Sequence, residues 1–340
     1  MAVDTQLTTF SDLYTDLQNR VRVQTSVTAT ENQAKRYINI ALHDMHLGFG
    51  EKFPWAHREA DLVTQPEYNT GMVTISQGST ALAGTSTAWN TNNAFGVANM
   101  RAGGRIVIAG GVEIYEISSV TNDTAAVLTA AFVKSDASVV EYLYFEDEYA
   151  LAADFLKPLD LQNFDANGDI DLIGRTEFRW RYPRSKVTGK PKVATIIDRA
   201  PVGGTTPERR VRFWKPTDQA YLIPYAYVTS QLATSSAGTA QTQLSADTDQ
   251  PIVPLYGRHA IMFHGLYHWY KDKRDDTRRL DAKADYTDII LRLVGDQEIG
   301  RSQPRFQPRI SPYAGRARAP FRGRRGGRFT TGTAFDEIRS

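Results

Sequence analysis

The sequence predicts an α+β fold: a helical bundle framework with an inserted small β-barrel or sandwich domain, further β-strands and an extended C-terminal arm. Three observations predict it. Apolar residues recur at helical spacing near both ends of the first 300 residues, short β-branched and aromatic runs lie between them, and the last 40 residues are rich in arginine. A chain of 340 residues is long enough for two to three domains.

These patterns divide the chain into five parts. They are an N-terminal helical hairpin (1–65), an inserted β-domain (66–147), a return segment and second β-rich region with a mobile loop at 230–249 (148–250), C-terminal helices that complete the bundle (251–300) and an Arg-rich arm (301–340).

The N-terminal part predicts two amphipathic helices. Residues 7–23 place apolar side chains three and four apart, which puts them on one face of a helix. A second helix begins at Thr30, which with Gln33 fits a capping box, and ends at Gly48 and Gly50. A short polar link joins the two, so we expect a helical hairpin.

The middle of the chain predicts strands. Between Gly71 and Phe145, short runs of β-branched and aromatic residues alternate with Gly, Ser, Asn and Asp, as in a small barrel or sandwich. Residues 146–160 predict a short returning helix that ends at Pro158, and the Ser- and Thr-rich residues 230–249 predict the mobile loop. Further strands are predicted at 177–182, 192–197, 210–214 and 221–228.

Two more helices are predicted before residue 300. Residues 256–270 are strongly aromatic, and residues 275–294 place apolar side chains at near-helical spacing until Gly295. No apolar run approaches the roughly 20 residues that cross a bilayer, and the N-terminus lacks the pattern of a signal peptide. We therefore expect a protein made in the cytoplasm, without a membrane partner.

The net charge of +2 hides a strong segregation of charge. Residues 1–300 hold 30 Lys and Arg against 36 Asp and Glu, whereas residues 301–328 hold nine arginines and no Lys, Asp or Glu. The chain has no cysteine, which excludes a disulfide scaffold, thiolate metal sites and cysteine nucleophiles.

The arginine-rich arm is the most informative feature. Its four prolines and nine arginines within 28 residues predict neither a helix nor a core. Guanidinium groups bind phosphate and carboxylate alike. The arm therefore either binds nucleic acid with a steep salt dependence or docks on a protein through aromatic anchors. A solvated tail without a binding role is the third interpretation. The candidate docking residues are Arg301, Arg305, Phe306, Arg309, Tyr313, Arg316, Arg318, Phe321, Arg322, Arg324, Arg325, Arg328 and Phe329.

Two patterns resemble metal sites. Residues 165–171 alternate oxygen-bearing side chains as a calcium loop does, but the hand motif requires glycine and a carboxylate where Ile170 and Thr176 stand. A surface turn is therefore the favoured interpretation.

The histidines form the second pattern. His264 and His268 share one face of a predicted helix, as do His43 and His46, yet Gly265 stands where a zinc protease has its glutamate, and spacing suggests no third ligand. We predict core or interface histidines. No nucleophile elbow, phosphate loop or dinucleotide fingerprint occurs, so we predict no enzyme, metal or cofactor.

Three stretches resemble the head-to-tail adaptor proteins, also called connector or neck proteins, of tailed bacteriophages. They are residues 37–42 (Tyr-Ile-Asn-Ile-Ala-Leu) with Trp55 downstream, residues 78–89 and residues 149–155. Residues 78–89 are similar to a β-module of several phage neck and tail proteins. The resemblance covers roughly residues 5–160, and the helices before residue 300 match only in helical character.

The resemblance implies a structural virion protein of the neck, present in the host cytoplasm during assembly. It implies a homo-oligomeric ring of about twelve copies under the portal protein, bound on the other side to a tail, nozzle or stopper protein. Viral double-stranded DNA would pass through the ring, and the arm would dock on the portal. Two alternatives stay open: a DNA-binding or packaging-associated virion protein, and a glycan-binding tail component.

Overall fold

The structure is a computed structural model that describes residues 7–23, 27–161, 170–199 and 208–301. The described ranges contain five α-helices: α1 (Phe10–Val21), α2 (Thr28–Phe49), α3 (Arg175–Arg181), α4 (Arg258–Lys273) and α5 (Asp276–Arg301). They also contain seventeen strands: β1 (His57–Val63), β2 (Met72–Ile75), β3 (Ala81–Thr85), β4 (Arg105–Ile108), β5 (Tyr115–Asn122), β6 (Ala125–Leu128), β7 (Ala137–Val140), β8 (Tyr142–Phe145), β9 (Glu148–Ala150), β10 (Phe155–Leu161), β11 (Asp171–Leu172), β12 (Val193–Arg199), β13 (Glu208–Trp214), β14 (Leu222–Thr229), β15 (Ala233–Thr234), β16 (Ala240–Gln241) and β17 (Gln250–Pro251).

The predicted helical bundle framework is wrong. Helix accounts for only 32% of the structure; the rest of the regular secondary structure is β-sheet and includes a seven-stranded sheet curled into a half-barrel. Between α2 and α4 the described ranges hold one α-helix, the short α3, and all the strands. The helices at the two ends therefore form one layer beside a β-protein rather than the frame into which a β-domain is inserted.

The helical layer buries the apolar faces that the spacing predicts. α1 begins with a capping box in which Thr9 and Asp12 exchange hydrogen bonds, and its inward residues Phe10, Leu13 and Leu17 are buried. They share a hydrophobic core with apolar residues of α2, α4 and α5. Burial of each large apolar side chain stabilises the layer by about 1.5–3 kcal/mol.

Two predicted helix boundaries are wrong. α2 begins at Thr28, and Thr30, the expected cap, lies inside the first turn with its hydroxyl donating to the Val27 carbonyl oxygen. α5 continues through Gly295 to Arg301, because a single glycine costs a long helix only about 1 kcal/mol.

The half-barrel is an antiparallel sheet with the strand order β7-β2-β3-β6-β5-β4-β8. Trp89 is fully buried in its core, where the indole N–H donates to the Tyr142 hydroxyl at 2.9 Å. The two rings meet edge to face with centroids 6.0 Å apart. This aromatic pair fixes the connection between β3 and β4 against β8.

Two segments differ from their predicted secondary structure. Residues 146–160, expected to be helical, hold β9 and most of β10, since the main chain pairs with β13 and β14 instead. Residues 177–182, expected to be a strand, lie largely in α3. In α3 only Phe178 is buried, so the alternation of apolar and charged residues does not reflect a half-buried sheet.

The remaining strands form three small sheets. β14 lies between β1 and β10, and the order of the four-stranded sheet is β11-β12-β13-β9. Residues 230–249, expected to be a mobile loop, contain β15 and β16, which form the third sheet with β17. Leu244 and Asp249 are buried there, with the Asp249 carboxylate accepting hydrogen bonds from the backbone N–H groups of Ser245 and Ala246.

No helix of the described ranges combines the length and the apolar character that a membrane crossing requires.

Candidate functional site

The predicted docking arm follows α5 directly in the chain. Arg301 is the last residue of that helix, and the candidate docking residues from Arg305 to Phe329 lie outside the described residues. Their role in docking stays a prediction.

α5 itself presents apolar side chains to solvent. Leu280 is 57% exposed and Leu291 is 56% exposed, with the exposed Ala284 between them. The spacings of four and seven place all three on one face of the helix, over about 16 Å of its length. We call this face the α5 stripe.

The opposite face of α5 belongs to the helical layer. Ala282, Ile290 and Leu293 are buried in the same hydrophobic core as α1, α2 and α4. The inner face therefore holds α5 in place, and the α5 stripe is an apolar surface that packing within the described chain does not use.

A basic cleft of about 460 Å³ lies between α3 and the four-stranded sheet. Arg175 and Arg179 of α3 line it and form no ion pair within the described ranges. Beside them Trp180 is 82% exposed, the highest value among the exposed large apolar residues of the described chain. Exposed tryptophan next to arginine is typical of surfaces that bind a partner, because both residue types are enriched where binding energy concentrates.

A buried charge cluster adjoins this cleft, and three of its members, Glu148, Arg184 and Arg212, line the cleft. The cluster consists of four arginines and three carboxylates from the half-barrel, the four-stranded sheet, the β8–β9 connection and the segment after α3: Arg105, Arg184, Arg199 and Arg212 with Glu116, Asp147 and Glu148. Because Arg105 lies in β4 and Arg212 in β13, the cluster joins the two sheets through ion pairs.

Asp147 and Glu148 each contact three of the four arginines, and Asp147 contacts Arg105, Arg184 and Arg212. Its oxygens lie 3.4 Å from Arg105 Nε, 3.0 Å from Arg184 Nε and 3.2 Å from Arg212 Nε. Burial lowers the pKa of Arg212, and the Asp147 charge opposes that shift. The cluster holds one more positive than negative charge, so the cleft above it suits a carboxylate or phosphate group of a partner.

The histidine pairs behave differently from each other. His46 is buried and its Nε2 lies 2.5 Å from the Thr229 carbonyl oxygen, whereas His43 is exposed, so these two do not form a site. His264 and His268 do converge, with 3.3 Å between their Nε2 atoms, and Asp44 of α2 joins them. Burial lowers the pKa of both imidazoles, which favours their neutral form.

Sequence reasoning missed Asp44 and the charge cluster. Asp44 follows His43 directly, but it lies 220 residues from His264, and only the packing of α2 on α4 brings the two together. The run Glu146-Asp147-Glu148 is visible in the sequence as three consecutive acids within an otherwise apolar stretch, a signal that fits buried ion pairs. Of the calcium-like pattern, Ile170 and Asp171 are described, and residues 165–169 lie outside the described ranges.

No protein-family model matches the chain, and no curated protein shows significant similarity to it.

Proposed function

We propose that the chain is a structural virion protein, a head-to-tail adaptor whose copies form a ring below the portal and whose Arg-rich arm docks on it. The carrying observation is α5, which presents an apolar stripe to solvent and continues directly into the arm. The resemblance of residues 37–42, 78–89 and 149–155 to phage adaptor proteins supports the same function.

A ring of identical copies supplies a cover for the α5 stripe. In a cyclic assembly each copy offers one surface to its neighbour and receives a different one, so a solvent-exposed apolar face on one chain becomes buried by the next. Leu280 and Leu291 are large enough to contribute about 1–2 kcal/mol each when a neighbouring chain covers them.

The charge segregation fits two different partners. The acidic excess of residues 1–300 disfavours tight binding of DNA, which suits a channel through which DNA must pass. The arginines of residues 301–328 supply guanidinium groups that form charge-assisted hydrogen bonds with acidic grooves of a portal protein.

The basic cleft supplies a surface for the tail-side protein. Trp180 offers a large apolar anchor, and the arginines of the cleft select a partner segment that carries carboxylates. Replacing Trp180 by alanine should weaken recruitment of the tail-side protein and leave portal docking unchanged.

Truncations test the docking step. Deleting residues 302–340 keeps α5 intact and should abolish binding to portal-bearing heads, measured by co-sedimentation. Deleting residues 330–340 is the matched control, because it keeps every candidate docking residue from Arg301 to Phe329 and should leave binding unchanged. Normal docking by the longer truncation would refute the role of the arm, and retention of naked DNA by the full chain at about 150 mM salt would favour the DNA-binding alternative.

Surface substitutions test the ring. Leu280→Lys combined with Leu291→Lys should reduce the ring to smaller species in native mass spectrometry or particle images. Asp285→Lys introduces the same residue at an exposed position away from the α5 stripe and should leave the ring intact. Equal assembly of both variants would show that α5 lies outside the interface between copies.

A further inference from the structure

Asp44, His264 and His268 bring three metal-binding atoms to one point between α2 and α4. The Nε2 atoms of the two histidines are 3.3 Å apart, and they lie 3.5 Å (His264) and 3.1 Å (His268) from Asp44 Oδ2. In the described part of the chain this is the one place where three His or acidic residues are close enough to share a metal ion.

The three separations match the geometry of a tetrahedral metal. Zinc binds imidazole nitrogen and carboxylate oxygen at about 2.0–2.2 Å, and ligand atoms of a tetrahedron with such bonds lie about 3.3 Å apart. Adjacent ligands of an octahedral ion with bonds near 2.1 Å would lie only about 3.0 Å apart. The observed values of 3.1, 3.3 and 3.5 Å surround the tetrahedral value.

The surroundings hold the ligands in place. The imidazole of His264 stacks on the ring of Tyr286 at 4.3 Å between centroids and is parallel to that of Tyr267 at 5.5 Å. Both histidine side chains are largely buried, whereas Asp44 is 45% exposed. Solvent therefore reaches the carboxylate side, which leaves room for a fourth ligand such as water.

We propose that Asp44, His264 and His268 bind a divalent transition metal, with Zn²⁺ the best fit, and that this ion ties α2 to α4. Two imidazoles and one carboxylate form a donor set that suits zinc and its neighbours and does not suit magnesium, which takes oxygen ligands. Because the ligands come from helices separated by more than 200 residues, binding of the ion stabilises the folded helical layer. The proposal is independent of the adaptor function.

Metal binding by the untagged full chain tests this site. After treatment with a chelator and dialysis, the protein should bind one Zn²⁺ per chain and gain thermal stability, and Co²⁺ should give the intense visible absorption of a tetrahedral complex. His268→Gln and Asp44→Asn should each weaken Zn²⁺ binding at least tenfold. His259→Gln removes a histidine of the same helix outside the cluster and should bind Zn²⁺ as the wild type does.

Two results would overturn the proposal: failure of the wild type to bind Zn²⁺ at one equivalent, or equal affinity of the wild type and the Asp44→Asn variant. The second comparison holds even where His268→Gln fails to fold, because Asp44 is half exposed and its replacement by asparagine disturbs little packing. Circular dichroism of each variant before metal addition establishes that it is folded.

Discussion

Replacing Asp147 by asparagine should destabilise the protein more than replacing an arginine of the charge cluster. The cluster holds four arginines against three carboxylates, and Asp147, with 3% of its side chain exposed, contacts three of the four arginines. The Asp147→Asn variant would leave four buried or half-buried cations facing two anions. Arg184→Met, by contrast, removes the excess positive charge and leaves three cations facing three anions.

The expected magnitudes differ accordingly. Removing one partner of a buried ion pair costs about 3–5 kcal/mol, because the other charge stays desolvated and uncompensated. Arg184 is 32% exposed, so water screens its ion pairs, and its loss should cost about 1 kcal/mol or less. We expect the free energy of unfolding of Asp147→Asn to lie at least about 2 kcal/mol below that of Arg184→Met.

Urea unfolding followed by tryptophan fluorescence measures this difference. The comparison requires that the unfolding free energy of both variants depends on urea concentration with the same slope. Equal losses, or a larger loss for Arg184→Met, would refute the charge-balance argument and show that hydrogen-bond geometry alone determines the stability of the cluster. Raising the salt concentration should reduce the loss of unfolding free energy in Arg184→Met, because salt screens the exposed ion pairs of Arg184. The loss in Asp147→Asn should change little, because salt screens buried ion pairs poorly.

Three further predictions concern the core of the half-barrel, the core of the helical layer and the small sheet of β15, β16 and β17. Trp89→Phe keeps an aromatic ring but removes the hydrogen bond to the Tyr142 hydroxyl and leaves a cavity in the half-barrel core, so thermal unfolding should show a loss of at least about 1–2 kcal/mol; an unchanged stability would contradict both contributions. Gly265→Ala should lower the melting temperature although alanine favours helix, because its Cβ would lie 2.9 Å from Leu17 Cδ1; a higher melting temperature would show that the helices separate easily. Asp249→Asn should be less stable than the wild type at pH 7. Burial raises the pKa of Asp249, but the hydrogen bonds that its carboxylate accepts outweigh this effect, so the pKa in the folded protein lies below the ordinary value of 3.8. The ionised carboxylate therefore stabilises the folded protein above pH 3.8, and this contribution is lost as pH falls through the pKa of the folded state. The difference in free energy of unfolding between the wild type and the variant should shrink over that range, and a difference that stays constant with pH would contradict this.

Local pattern determines the helices better than the sheets. α1 and α2 carry an apolar face at helical spacing, and that face is the one the structure buries. Residues 146–160 contain alanines and leucines that favour a helix in isolation, yet they pair with β13 and β14, which lie more than 50 residues further along the chain. Pairing between strands so far apart in the sequence cannot be recognised from a short stretch of residues, because the preference for a strand depends on the neighbouring strands.

The same reason limits prediction of the candidate site. The spacing of His264 and His268 predicts that they share a helix face, and the structure shows both on one side of α4. The third group, Asp44, depends on the packing of α2 on α4, which no spacing rule describes. The basic cleft escapes prediction for another reason: the sequence pattern predicts a strand over residues 177–182, which would place Trp180 in a sheet rather than in solvent.

The distance in sequence between α2 and α4 sets an order of events during synthesis. α2 ends at Phe49 and α4 begins at Arg258, so a ribosome adding about 5–20 residues per second leaves the apolar face of α2 without its cover for about 10–40 s. The half-barrel needs only residues 72–145, and it can complete its sheet while later strands are still being made. We therefore expect the half-barrel to fold first and the nascent helical hairpin to depend on chaperones until α4 emerges.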